Sequence, residues 1–431
     1  MDERAAAKLR TIPQLQRLLE APEAAPLVKQ FSHAAVTAQL RRVLAGARTD
    51  LLEPGGPEAA PSTAELLTRV EAALAASRVP GLRRVNNATG VILHTNLGRA
   101  PLAQEAAAAA AAAAVAHGYC NVELDLETGA RGLRTGIIET LLRELIGAEA
   151  AIAVNNNAAG MLLALSALAA GGEVLVSRGE LVEIGGGFRI PDVIRHGGAR
   201  LVEVGTTNKT RIDDYRRAIT PATRVLLKVH QSNFQIVGFT ETTTVPALAT
   251  LAREAGLLLV DDLGSGNKLM GGPQAGLLAG RAAAIDRLRT HPMLRAVRLD
   301  KLSLAALEAT LRLYHERGPS ALPVLQAIGQ SEAMLRDRAE RLANLLGPFA
   351  AVRSTTGRAG GGALPGQKIA SQGVTLGIPE QPPERLAKLL RMHRPAVVGR
   401  VLDGSLLLDM LAVADDEVPE VAAAVRLAMT A

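Results

Sequence analysis

Asp262, Ser265 and Lys268 fall close together in the stretch Asp262-Leu263-Gly264-Ser265-Gly266-Asn267-Lys268-Leu269-Met270-Gly271-Gly272-Pro273-Gln274-Ala275-Gly276. An apolar run, Leu257-Leu258-Leu259-Val260, leads into the acid and has the length and composition of a buried strand. Lys268 follows between glycine-rich turns, which presents its amine on irregular backbone beside a packed sheet. An acid at a strand end, a serine three residues before a lysine and a glycine-rich tail suit a pyridoxal phosphate site. In such a site the acid faces the ring nitrogen, the serine faces the phosphate, and the lysine forms the Schiff base. The same segment also fits a surface loop whose lysine is merely solvated.

These residues need a scaffold, and from about residue 148 to 262 the pattern alternates strand and helix. Ala151–Val154 reads as a strand, followed by Asn155-Asn156-Asn157 and a helix to Ala169. Val174–Val176, Leu201–Val204, Val225–Val229 and Leu257–Val260 are further short apolar strands. Alternation of this kind predicts an α/β layer with a mostly parallel sheet flanked by helices. Ligands collect beyond the carboxyl ends of such strands. The informative side chains fall there: Asn155–Asn157, Ser177-Arg178-Gly179-Glu180, His230-Gln231-Ser232-Asn233 and Asp262.

Upstream, residues 1–80 form a helical N-terminal domain, with Leu9, Ile12, Leu15, Leu18 and Leu19, then Val36, Leu40, Val43 and Leu44, at helical spacing. Pro61-Ser62-Thr63-Ala64-Glu65 marks a helix start. Arg41, Arg42 and Arg48 read as a solvated helix face, since the segment's charges nearly cancel. Residues 81–305 form the α/β domain, entered through a short strand and polar turns near Val85 and an Ala-rich helix, Ala103–Ala116. Gly276–Ala279 reads as a strand, followed by a helical stretch carrying Arg295 and Arg298 and a longer helix, Leu304–His315. Residues 306–431 form a smaller α+β domain with a helix near 330–346, strands around 372–377 and 397–410, and a closing helix. Asp403-Gly404 between two apolar runs predicts a hairpin turn. Gly360-Gly361-Gly362 lacks a following GK[ST], so it is expected to be a mobile loop and not a phosphate loop.

The chain has 431 residues, a formal charge of +6, no Trp and a single cysteine, Cys120. One cysteine excludes an internal disulfide and suits a reducing compartment, and the N-terminus lacks a secretory pattern, so a cytoplasmic protein is expected. No run approaches the ~18 apolar residues of a membrane span. Scattered histidines and the lack of CxxC or HxxxH pairs predict no metal site. The scarcity of aromatics argues against base-stacking sheets, and the net charge permits a polyanionic partner without demanding one.

Several long strings resemble bacterial selenocysteine synthase, L-seryl-tRNA(Sec) selenium transferase. They are NATGVILHTNLGRA (Asn87–Ala100), VNNNAA (Val154–Ala159), VSRGELVEIGGGFRIPDV (Val176–Val193), EVGTTN (Glu203–Asn208), KVHQSNFQIVGFT (Lys228–Thr240), KLMGGPQAG (Lys268–Gly276) and LAALEATLRLY (Leu304–Tyr314). Strings of this length across nearly the whole chain are far more specific than a short fingerprint. The resemblance implies an α/β enzyme of PLP-dependent transferase fold type I, a ring-shaped homodecamer built from dimers. It implies conversion of Ser-tRNA(Sec) to selenocysteinyl-tRNA(Sec) with selenophosphate, by β-elimination through an aminoacrylyl-tRNA intermediate. Lys268 would hold the cofactor and withdraw the Cα proton. The cofactor phosphate would meet Asn156, Asn157 and Ala158 at the start of a helix, where free N–H groups and the dipole favour an anion, with Ser265 as a second donor. His230 would stack over the pyridine ring and Asp262 keep its nitrogen protonated. Arg99, Arg295 and Arg298 would form the selenophosphate pocket, since guanidinium forks match phosphate oxygens. For each arginine a surface ion pair is the plainer role. The N-terminal domain would grip the tRNA by shape and backbone.

Two departures stand out. Family members carry a longer segment between two Ser-Gly copies, whereas here Gly264-Ser265-Gly266 runs straight into Asn267-Lys268. Asp262 to Lys268 reaches at most ~20 Å fully extended, and successive parallel strands need a crossover of about a dozen residues. Those two residues therefore cannot end successive parallel strands: either a strand and its helix are missing, or the lysine arrives by another route. Asn267 also replaces the family's usual Asp beside the lysine. Two competing readings follow, a related PLP lyase acting on a small substrate and a catalytically impaired tRNA-binding homologue.

Overall fold

The computed structural model describes residues 8–53, 55–78, 80–115, 118–184, 187–231, 234–264, 271–364, 367–379 and 381–430. It divides into two compact units, Met1–Arg84 and Val85–Ala431. In the first, helices Leu15–Leu19, Ala24–Phe31, His33–Leu52 and Thr63–Ser77 enclose their own core. Val36, Leu40, Leu44 and Leu51 fall inside at helical spacing and meet Leu66, Val70 and Leu74. The expected helix start at Ser62 is a full capping box. Glu65 N donates to Ser62 Oγ at 3.3 Å, and Ser62 N donates to Glu65 Oε2 at 2.7 Å.

The second unit is α/β, as the strand–helix alternation predicts. Four parallel strands lie in the order Arg200–Val204, Glu173–Ser177, Thr223–Val229, Leu258–Asp262. Ala150–Val154 and Glu173–Ser177 are buried along their whole length, because helices cover both faces. Gly276–Gly280 pairs antiparallel with Ala150–Val154 in a separate two-stranded sheet. Helix Asn157–Ala169 lies beneath both sheets: Ile152, Val154, Val174, Val176, Val225 and Leu227 share one core with it. On the opposite face the core is split. One part gathers Ala151, Ala153, Ile138, Leu142 and Leu307, the other Leu175, Leu226, Tyr215, Leu248 and Leu251.

The split falls where the chain is short. Among the described residues no strand joins Leu258–Asp262 to Gly276–Gly280, and Leu258, Leu259 and Val260 are only half-buried. Of the two routes open to the connection after Asp262, the interrupted sheet supports loss of a strand.

The remaining strands form a five-stranded sheet, ordered Arg400–Leu402, Ser405–Asp409, Ile369–Leu376, Ala350–Gly360, Val91–Leu93. Asp403 and Gly404 turn its hairpin with φ of +50° and +72°, the paired positive values of a two-residue hairpin. Two expectations need correction, and one strand had no expectation at all. Ala350–Gly360 is a long strand that polar residues on its open face hid from a hydrophobicity reading. Gly360–Gly362 is a tight turn and not a mobile loop: all three φ are positive, and a Cβ on Gly360 would come within 2.9 Å of the Leu93 carbonyl oxygen. Arg298 lies just past helix Met293–Val297 and not within it. The entry strands Val91–Leu93 and Val85–Asn87 pair in parallel with Ala350–Gly360 and Ala396–Val398, distant in sequence. Among the described residues, no helix is long and apolar enough to cross a membrane.

An edge strand leaves half its amides without a ladder partner. In hydrogen exchange, amides of Leu258–Asp262 that face away from Thr223–Val229 are expected to exchange roughly 100-fold faster than those of Glu173–Ser177. Equal protection of the two strands would contradict the interruption.

Candidate active site

The parallel register sets Asp262 opposite Val229. Strand alternation then turns Asp262 to the same face as Leu258 and Val260, toward helix Asn157–Ala169. Asp262 is 7% exposed. Oδ1 accepts from Asn157 Nδ2 at 3.0 Å and from the Gly264 backbone N–H at 2.9 Å. The Asp262 carbonyl accepts from His230 N–H at 3.0 Å. Asp262, Asn157 and the His230 backbone therefore meet at the carboxyl end of the sheet. A carboxylate at a helix N-terminus also gains from the helix dipole. Oδ2 accepts no hydrogen bond from any described residue.

The three asparagines do three different jobs. Asn155 N–H donates to the Val297 carbonyl at 2.9 Å, and its side-chain amide reaches the carbonyls of Val297 at 3.1 Å and Arg298 at 2.9 Å. Asn156 is the helix N-cap, its Oδ1 accepting from Ala159 N–H at 2.9 Å. Asn157 holds Asp262. The backbone N–H groups of Asn157 and Ala158 find no acceptor among the described residues, so the first turn keeps two donors for an anion. Gly276 packs directly on this turn: a Cβ there would lie 2.2 Å from the Asn156 carbonyl oxygen.

Sequence reasoning passed over the pair beneath His230. Glu180, 3% exposed, takes the Lys228 ammonium on one oxygen and the Val229 N–H at 3.0 Å on the other. Gln231 Nε2 donates to the Gly179 carbonyl at 3.1 Å. These bonds lock the strand end that carries His230 to the segment after Ser177. Glu180 falls among the side chains expected beyond the strand ends, but nothing in its spacing shows its burial or its pairing with Lys228. Burial pushes the Asp261 carboxyl above the usual carboxylate range, against the pull of Lys228 and with the push of Asp262.

The three arginines sit on separate elements. Arg99 is exposed, at φ +68° in a bridge with His94. Arg295 is exposed on helix Met293–Val297. Neither ion-pairs with a described residue. Arg298 bridges Val154 through its backbone and donates Nη1 to Glu123 Oε1 at 3.1 Å. Lys268 and Ser265, like Asn267, lie outside the described residues.

The family described as L-seryl-tRNA selenium transferase matches residues 85–267 and 264–414, and the one described as Selenocysteine synthase N terminal matches residues 9–48. The two longer matches overlap at 264–267, just after strand Leu258–Asp262. A protein named L-seryl-tRNA(Sec) selenium transferase from Hyphomonas neptunium is 46% identical over 459 residues, covering 97% of this chain and 98% of that one. One of the same name from Geobacter sulfurreducens is 43% identical over 454 residues, covering 96% and 98%. Both alignments are longer than this 431-residue chain, so each relative carries a few dozen residues with no counterpart here. The solved structure of D-glucosaminate-6-phosphate ammonia-lyase superposes with a TM-score of 0.57 at 23% identity, over 81% of this chain and 96% of that one.

Two outcomes are expected from this geometry. Asn157→Ala removes one of the two donors to a buried carboxylate and should cost about 1.5–3 kcal/mol in denaturant unfolding; an unchanged midpoint would contradict the bond's role. Because the folded Asp261 carboxyl is raised, the native state binds its proton more tightly than the unfolded chain. Its contribution is full below the ordinary carboxylate range and is lost as pH rises through the folded value. Asp261→Asn should therefore gain on the parent protein as pH rises from about 4 to 7, measured as urea midpoints, whereas parallel curves would oppose it.

Proposed function

The chain belongs to the L-seryl-tRNA selenium transferase family, and from that premise we propose that it converts L-seryl-tRNA(Sec) into L-selenocysteinyl-tRNA(Sec). The fold is that of fold-type-I pyridoxal phosphate-dependent enzymes, and pyridoxal 5′-phosphate is the cofactor. The observation that carries the reading is the meeting of Asp262 with the asparagine-headed helix at the carboxyl end of the sheet.

The described residues fit that cofactor. Asp262 has an unused oxygen for a protonated ring nitrogen, and its other oxygen is pinned by Asn157 and Gly264. The open N–H groups of Asn157 and Ala158 suit a phosphate dianion. When bound, the cofactor supplies an electron sink for chemistry at the amino-acid α-carbon, here loss of the β-hydroxyl and addition of selenium at the β-carbon. His230 covers the ring, Ser265 adds a phosphate donor, and Lys268 anchors the group and moves the Cα proton. Selenophosphate is the donor, met by Arg99, Arg295 and Arg298.

The helical unit Met1–Arg84 binds the tRNA, a role supported by the match to the family's N-terminal part. Homo-oligomer formation is supported by apolar side chains left in water, among them Tyr119, Leu126, Val237 and Phe239. The protein acts in the cytoplasm, in keeping with a lone exposed cysteine.

The purified protein with pyridoxal 5′-phosphate should show a visible absorption band that borohydride fixes to a Lys268 peptide and that Lys268→Ala abolishes. It should transfer selenium from selenophosphate to Ser-tRNA(Sec). A band with no labelled Lys268, or no transfer by a cofactor-loaded protein, would sink the proposal. Deleting residues 1–84 should abolish a tRNA gel shift while leaving the absorption band; an undiminished shift would remove the tRNA role from that unit.

A further inference from the structure

Glu123 stands outside every motif considered above, yet three arginines converge on it. Its Oε1 accepts from Arg134 Nε at 2.9 Å and Arg298 Nη1 at 3.1 Å, and its Oε2 accepts from Arg131 Nη2 at 2.7 Å. Arg134 reaches past the carboxylate to donate Nη1 to the carbonyl of Leu299, the residue after Arg298, at 3.0 Å. The result is a closed ring, from Glu123 through Arg134 to the backbone beside Arg298 and back through the Arg298 guanidinium. The loop that carries Glu123 is itself closed, since Gly132 N–H donates to the Glu123 carbonyl at 3.1 Å and Asp125 N–H to the Ala130 carbonyl at 2.9 Å. At its other end the Arg298 backbone is stitched to Val154 and Asn155, directly before the asparagine-headed helix.

From this geometry we infer that Glu123 is a positioning residue, holding the Arg298 guanidinium by one nitrogen so that its remaining donors face an incoming oxyanion. The inference rests on the reading of Arg298 as a selenophosphate ligand. Arginine carries five N–H donors in a rigid fork. Glu123 engages one nitrogen, and among the described residues Arg298 makes no other side-chain hydrogen bond. A free arginine must lose rotamer freedom on binding an anion, whereas one held at its tip has lost it in advance. The sum of charges also suits an anion, since one carboxylate faces three guanidiniums. The Glu123 carboxyl is held below the usual carboxylate range, chiefly by its bond to Arg134, so it stays ionised and the ring stays closed at neutral pH. The side chains of Glu123 and Arg298 are 24% and 35% exposed, open enough for an anion to reach the fork.

The test compares Glu123→Ala, the near-isosteric Glu123→Gln and Arg298→Ala, all saturated with pyridoxal 5′-phosphate so that the cofactor's own phosphate site is filled. Binding of inorganic phosphate is followed by calorimetry, and KM and kcat for selenophosphate are measured beside it. Arg298→Ala should abolish the phosphate site. Glu123→Ala should weaken phosphate binding about tenfold, the scale of one charge-assisted hydrogen bond. Glu123→Gln, which keeps an acceptor, should weaken it less. KM for selenophosphate should rise in step, with kcat and the KM for tRNA unchanged. If Arg298→Ala weakens phosphate binding while both Glu123 variants match the parent or bind more tightly, the positioning role is overturned and the ligand role of Arg298 stands. If Arg298→Ala leaves phosphate binding unchanged, the ligand role falls and the positioning role with it.

Discussion

The Asp262 carboxylate fastens a strand end to a helix start, and the rest of the site is arranged around that joint. A carboxylate this buried is tolerated only with donors supplied, because stripping its hydration costs several kcal/mol. Asn157 and the Gly264 amide supply two donors to one oxygen. Asn157 can serve because it opens a helix, so the register of that helix and the direction of Asp262 are set together. His230 joins through the backbone, its N–H on the Asp262 carbonyl. One contact thus aligns a buried carboxylate, the strand end that carries His230 and a helix terminus with open N–H groups.

The joint carries added weight because the sheet beneath it is in two parts. In an unbroken parallel sheet, the ladder hydrogen bonds themselves would hold Ala150–Val154 in line with Leu258–Asp262. Here that work falls to helix Asn157–Ala169, whose apolar face packs under both sheets, and to the Asn157–Asp262 bond at its head. Burial on that face is continuous; on the opposite face it divides into two cores. The half-buried Leu258, Leu259 and Val260 mark the open edge.

Charge is organised in two clusters on either side of the joint. Glu180 and Lys228 form a buried pair beneath His230, where the carboxylate also takes a backbone N–H. Such a pair adds little net stability over apolar packing but strongly disfavours other arrangements of the strand end. Glu123 gathers three arginines and leaves positive charge over, the condition for attracting an oxyanion. The first cluster fixes the strand end that carries His230, and the second leaves net positive charge next to the Arg298 backbone.

Most of the architecture can be read from local pattern. The parallel strands, the Ser62 capping box, the Asp403-Gly404 hairpin and the helix after Asn157 depend on residue periodicity and turn chemistry within a few positions, which an unfolded chain already carries. The short link after Asp262, set against the crossover that parallel strands need, leaves two routes open, and only the interrupted sheet favours a lost strand. Ala350–Gly360 escaped because its polar open face mimics a loop, and Gly360–Gly362 because a tight turn and a slack one share a composition. The jobs of Asn155 and Asn157, the burial of Glu180 and the arrival of Arg298 at Glu123 belong to tertiary structure alone. The Asn156 cap and the Arg131 and Arg134 bonds to Glu123 are short-range, but Asn157–Asp262, Glu180–Val229 and Glu123–Arg298 join residues 105, 49 and 175 positions apart. Spacing along the chain fixes which way a side chain points on its own strand or helix; which distant partner it then meets is settled only when those elements pack.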